Sequence, residues 1–191
     1  MGCGADRVVV TKPCPPASTD TLAPTEKSGP SCIRIALCLA AIVGLLGPAQ
    51  LPGQATGAEE PAPTGSVGEL HLLVNQRREA AGCAALRWHE PTARIAEDHS
   101  RDMALRDYFD HVTPDGTDLA ARLLSGGVTW RGSIAENIAR TPAGAVSAVE
   151  LWMDSPPHRA SIESCEFTHH GAGVFRDRWT QVLVETPGGA P

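Results

Sequence analysis

Between residues 67 and 186 the apolar pattern is helical first and strand-like last, and that order limits the fold more than any other feature of the chain. Val67, Leu70, Leu73, Val74 and Ala81 suit one helix, and Gly82 follows where a C-cap glycine belongs. Pro91 opens a second helix running to about Asp107, with Ile95, His99 and Met103 on one stripe. On that stripe His99 reads as a packed, hydrogen-bonded core histidine rather than a ligand. Leu119 to Leu124 forms a short third helix before Gly126-Gly127. Ala143 to Asp154 forms a fourth, burying Val146, Val149, Leu151 and Trp152 and stopped by Pro156-Pro157. Only Gly171–Arg176 and Trp179–Glu185 read as strands, joined by a tight turn at Asp177-Arg178. Helices first and strands last is not a βαβ alternation, which argues against a doubly wound sheet and for a mixed α and β domain.

The rest of the chain has a different character. Residues 12–31 are rich in Pro, Ser and Thr with no apolar period, so the N-terminal segment 1–32 reads as disordered. Within 33–50, the run Ile35 to Leu46 follows Arg34 and is shorter than the ~20 residues of a membrane span. It fits the apolar part of a secretory signal, either cleaved or kept as an anchor. Residues 51–66, rich in Gly, Pro and Ala, read as a linker, and 187–191 as a tail. The chain is therefore expected to be secreted or anchored at the outer face of the cytoplasmic membrane, touching the bilayer only through its N-terminal apolar segment. A net charge of −6 without a basic stripe argues against a nucleic-acid partner. Cys3, Cys14, Cys32 and Cys38 fall in or before the export segment, which leaves Cys83 and Cys165 in the domain. In an exported domain two cysteines can form one bridge; if the chain stays cytosolic, two buried thiols are the alternative.

Three motifs carry the chemistry: Tyr108-Phe-Asp-His111-Val-Thr-Pro-Asp-Gly116, Ala135-Glu136-Asn137-Ile138, and Trp152-Met-Asp-Ser-Pro-Pro-His158-Arg-Ala-Ser-Ile162. In this order, together with Gly171-Ala-Gly-Val174 and Trp179-Thr-Gln-Val182, they resemble the CAP superfamily (SCP/TAPS), closest to its bacterial secreted branch, over about residues 67–186. The resemblance implies an α+β fold, a three-layer α-β-α sandwich around a small antiparallel sheet, with a further strand near Ser133–Ala139. It also implies a cleft holding His111, Glu136 and His158. A fourth acidic cleft residue, common in the superfamily, would fall on Ser155; Asp154 stands one position away. Ala135, Pro157 and Ser161 replace residues usual in the family pattern.

Two imidazoles could close on zinc or another divalent cation, with His111 and His158 as ligands and Glu136 orienting water or an imidazole. The alternative is a metal-free, hydrogen-bonded polar cluster lining a groove. No Gly-x-Ser-x-Gly elbow surrounds Ser133 or Ser155, and adjacent His169 and His170 would point to opposite faces of a strand, with a surface histidine the better reading. The expected function is a non-catalytic cleft for a small amphipathic ligand such as a lipid, or for a cell-envelope partner. A metal- or carboxylate-assisted hydrolase and a structural surface module are the competing classes. If the core comes from residues 67–186, removing residues 1–50 should leave a soluble domain with an unchanged cooperative melt by circular dichroism; loss of that transition would refute the boundary.

Overall fold

The computed structural model describes residues 65–186. The expectations for residues 1–64, including the export segment, and for the tail lie outside the described residues. Nine elements follow in order: α1 (Gly65–Ala80), β1 (Arg87–Trp88), α2 (Glu90–Leu105), α3 (Leu119–Ser125), β2 (Arg131–Arg140), α4 (Ala145–Asp154), α5 (Pro156–Ile162), β3 (His169–Phe175) and β4 (Arg178–Glu185). The sheet order is β1-β3-β4-β2. The β2–β4 and β3–β4 pairs are antiparallel, whereas β1 runs parallel to β3. The sheet is therefore mixed at one edge: Arg87 and Trp88 are too short a segment to be recognised by alternation. No helix of the described residues is long and apolar enough to cross a membrane.

The sheet is the middle layer of a sandwich. On one side Ile95 and Ala96 of α2, Leu119 and Leu123 of α3, Ile134 of β2, and Val182 and Val184 of β4 form one core. On the other, Leu70 and Val74 of α1, Val149 and Trp152 of α4, and Ile162 of α5 pack on Ala135, Ala139, Ala172, Trp179 and Leu183. The pleat sends alternate residues to the two layers. Hence Glu136 faces the α2–α3 side and Asn137 the α1–α4–α5 side.

Helix boundaries fall within two residues of the sequence pattern, and their causes are visible. Gly82 has φ +82°, the left-handed conformation that a C-cap requires and glycine adopts without strain. Pro156-Pro157 does stop α4, but the same prolines open α5, with Ser155 between the two helices. His158 therefore lies within a helix. The β3–β4 turn sits at Arg176-Asp177, one residue earlier than expected, with Arg176 at φ +57°.

Two devices tie the layers together. Cys83 and Cys165 are bonded, with their Cα atoms 5.1 Å apart. Closing this loop contributes about 3–5 kcal/mol on the chain-entropy estimate. Beside the bond, the fully buried Arg78 donates to the carbonyl oxygens of Ala84 (3.0 Å), Ile162 (2.8 Å), Ser164 (2.7 Å) and Phe167 (3.0 Å). One guanidinium thereby satisfies carbonyls from both chain segments that carry the cystine. On the opposite layer α2 lies almost on the backbone of β3. A Cβ at Gly171 would come within 2.1 Å of Ala93 N, and one at Gly173 within 2.2 Å of Glu97 N. Ser100 Oγ bridges the Gly173 carbonyl oxygen (3.1 Å) and the Thr180 hydroxyl (2.8 Å). Because the obstruction is backbone, Gly173→Ala should cost at least about 2 kcal/mol in urea unfolding, and a loss under half of that would show that α2 can lift off without penalty.

Candidate functional site

Glu136 is fully buried near the middle of β2. A buried carboxylate is costly unless it is paired and hydrogen-bonded, and here three groups surround it. Its Oε1 accepts from His111 Nδ1 at 2.8 Å and lies 3.7 Å from His99 Nε2; its Oε2 accepts from Arg122 Nη2 at 2.5 Å. Arg122 also donates to the carbonyl oxygens of His111 (2.9 Å) and Thr117 (3.3 Å), so it fixes the loop that presents the imidazole.

Local sequence explains how each group arrives. Asp118 caps α3 by accepting from Ala121 N at 2.8 Å, which starts the helix so that Leu119 and Leu123 point inward and Arg122 reaches β2. Thr113-Pro-Asp-Gly116 is the turn its composition suggests: Gly116 has φ +83° and donates to the Thr113 carbonyl oxygen at 2.8 Å. It begins two residues after His111 and leads the chain into α3. His99 comes from α2, donating from Nε2 to the Asp110 carbonyl oxygen at 3.0 Å. Tyr108 extends the cluster, its hydroxyl donating to Asp102 at 2.6 Å and lying 3.5 Å from His99 Nδ1.

The electrostatics follow from this packing. Burial alone pushes the Glu136 carboxyl up, but the His111 hydrogen bond and the charges of Arg122 and His99 together hold it below the ordinary glutamate range. Burial pushes the His99 imidazole down, outweighing the attraction of Glu136. Burial and the Asp102 hydrogen bond push the Tyr108 phenol well up. With Glu136 ionised, His111 donates from Nδ1, which leaves Nε2 as a lone-pair acceptor when the ring is neutral. That Nε2 is buried and has no hydrogen-bond partner among the described residues.

His111 and Glu136 meet. His158 is buried on α5, the helix whose Ile162 packs into the core shared with α1 and α4. Its carbonyl oxygen accepts from Asn137 Nδ2 at 3.5 Å, and Asn137 is the neighbour of Glu136 that points the other way. Asp154 is exposed at the last position of α4, and no hydrogen bond or ion pair joins it to Glu136. No group of three His, Cys, Asp or Glu side chains suited to a metal occurs among the described residues. The carboxylate oxygens are already bound by His111 and Arg122. His99 is the packed core histidine that its stripe predicts, yet it also stands against the carboxylate, and Arg122 escaped sequence reasoning. The one signal for Arg122 is indirect: a glutamate in the centre of a buried strand demands a cation.

This geometry can be set beside known proteins. A family model described as "CAP: Cysteine-rich secretory protein family" matches residues 72–184. The chain belongs to this family. It is 38% identical over 113 residues to the uncharacterized membrane protein YlbC of Bacillus subtilis, a stretch covering 59% of this chain and 32% of that protein. It is 32% identical over 114 residues to the uncharacterized protein YkwD of the same organism, covering 59% and 44%. The chain thus spans less than half the length of both relatives. Among solved structures, an extracellular protein containing an SCP domain from Bacillus anthracis is similar, with TM-score 0.61 and 32% identity over 63% of this chain and 40% of that one.

The Glu136 cluster makes a linked prediction. Arg122→Met removes the guanidinium from a buried carboxylate, leaving it the His111 hydrogen bond alone, and should cost about 3–5 kcal/mol at neutral pH. In the unaltered protein the depressed carboxyl contributes stability above the ordinary glutamate range, and this is lost as pH falls through its folded value. In the variant the carboxylate gains by protonation instead, so the deficit should shrink as pH falls toward about 4. Urea unfolding at several pH values checks this; a pH-independent deficit would remove the charge argument.

Proposed function

We propose that the domain is an exported binding module of the cell envelope, in which His111, held by Glu136, accepts a hydrogen bond from a small amphipathic ligand. The observation that carries this reading is the unpartnered Nε2 of a carboxylate-oriented, buried imidazole. A neutral Nε2 accepts and does not donate, so it favours a hydroxyl-bearing ligand over a carboxylate. Val112, next in the chain, is a 40% exposed apolar residue. Export is supported by the apolar run at Ile35–Leu46 and by the description of the similar Bacillus anthracis protein as extracellular.

A carboxylate-oriented imidazole is also what a general base needs. Binding is favoured over hydrolysis because no serine, threonine or cysteine bonds to His111 Nε2 to serve as nucleophile. The test is a histidine-ring NMR titration of the protein with n-decanol and with decanoate, beside turnover assays on peptide and ester panels with and without zinc. Decanol should shift the His111 ring resonances saturably, decanoate should do so more weakly, and His111→Gln should abolish the response without altering the fold. Saturable hydrolysis that disappears in His111→Ala would sink the binding reading in favour of an enzyme.

A further inference from the structure

Four of the seven histidines gather at the β1–β3 edge, away from Glu136: His71, His89, His169 and His170. The expected surface position of the His169-His170 pair does not hold. Both are buried, and they point to opposite faces: His170 meets His71 of α1, and His169 meets the ring of His89 and the hydroxyls of Thr168 and Thr186. His71 Nδ1 and His170 Nε2 are 2.7 Å apart, and the Trp88 ring stands edge-on to both imidazoles.

This pair lies in a chain of hydrogen bonds whose two ends are pinned by backbone, and that fixes its polarity. At one end the His158 carbonyl oxygen can only accept, so the nitrogen of the Asn137 amide faces it. The same nitrogen donates to Gln181 Oε1 at 3.0 Å, which turns Gln181 Nε2 toward His170 Nδ1 at 3.1 Å. At the other end Asn75 is clamped by Leu86, accepting from its N–H at 2.8 Å and donating to its carbonyl oxygen at 3.1 Å. That clamp leaves Asn75 Nδ2 facing His71 Nε2 at 3.4 Å. An amide nitrogen only donates. Both outer ring nitrogens of the pair therefore face donors, and the short contact between the inner nitrogens holds one proton.

Counting protons shows the consequence. All the contacts are met by a single ring proton shared across the inner contact, whereas two neutral imidazoles carry two. The second falls to His71 Nε2, at the longer of the pair's two outer contacts and on the half-buried ring. A third proton has no acceptor and must put N–H against N–H. A metal between the inner nitrogens would fare no better, since both ring protons would then face amide donors. The titratable and charged groups acting on His170 are His71 and Arg78 of α1 and His169 of β3, all bases. Glu90 is engaged by Trp88 Nε1 at 3.0 Å; Glu150 and Asp154 of α4 and Arg159 of α5 are exposed. Burial holds both imidazoles below the ordinary histidine value, and at His170 those bases act in the same direction. The contact therefore contributes fully above the ordinary histidine range and is lost as pH falls below it.

We propose that the His71–His170 contact is an acid-released latch for α1: uptake of one proton separates the two rings and loosens α1 from the sheet while α2 stays seated. The second half follows from the packing of α2, which rests on Gly171, Gly173 and Ser100 and involves no histidine of this pair.

The test is hydrogen exchange read by mass spectrometry on the full-length protein, from about pH 7.5 to about pH 5, with times scaled for intrinsic exchange. Peptides covering Gly65–Ala80 should lose roughly tenfold protection at the acid end, while those covering Glu90–Leu105 keep theirs. His71→Gln should remove the difference between the two pH values in α1. Equal protection of α1 at both values, or an undiminished loss in His71→Gln, would overturn the latch. Should that variant not fold, ring nitrogen shifts of the unaltered protein at neutral pH decide: both rings should carry their proton on Nε2, and a proton on His71 Nδ1 would overturn the assignment.

Discussion

The close seating of α2 on β3 is the constraint on which the rest of the domain depends. With hydrogen in place of side chains at Gly171 and Gly173, the helix backbone at Ala93 and Glu97 approaches the strand directly. Ser100 then reaches both the Gly173 carbonyl and the Thr180 hydroxyl, locking the helix in translation as well as in height. Because His99 precedes Ser100, the same lock delivers an imidazole to Glu136. A helix held farther off by side chains would leave the carboxylate without part of its surroundings and open the core formed with α3.

Glu136 is the second fixed point, and it shows how a buried charge organises its neighbours. Neither His111 nor Arg122 would suffice alone. The imidazole satisfies one oxygen and the guanidinium the other, while Arg122 also gathers the His111 and Thr117 carbonyls. The cost of burying the ion is thus offset by bonds that simultaneously order the loop. The orientation of His111, and with it the unpartnered Nε2, is a by-product of that ordering.

The two faces of β2 carry different polar systems one residue apart. On the α2–α3 side, Glu136 gathers charges. On the other, Asn137 and Gln181 carry a chain of neutral hydrogen bonds from α5 to the histidines under α1. The first has its balance of charge and donors nearly complete; the second carries one proton more than its contacts can use. That difference makes acid act on α1 before it acts on the Glu136 cluster, whose carboxylate stays ionised below the ordinary glutamate range.

Much of this was legible in the chain. Apolar spacing and the terminators Gly82 and Pro156 placed the helices, because helix ends are local chemistry. Cys83 and Cys165 were the pair left once the export segment was set aside, and they are bonded. Family resemblance put His111 beside Glu136, and it placed β2 where spacing alone did not. The layer each residue occupies was not legible. α5, which carries His158, packs on the face of the sheet that Asn137 points toward, whereas Glu136 faces the other, because strand pleating puts adjacent positions on opposite sides. Arg122 and the burial of His170 were invisible for a related reason: their partners lie on elements far apart in sequence, and no local spacing encodes which will meet. Sequence determined which segments form elements and where they stop; only the tertiary structure decided which face of the sheet each polar side chain serves, because that depends on contacts made after the layers have closed.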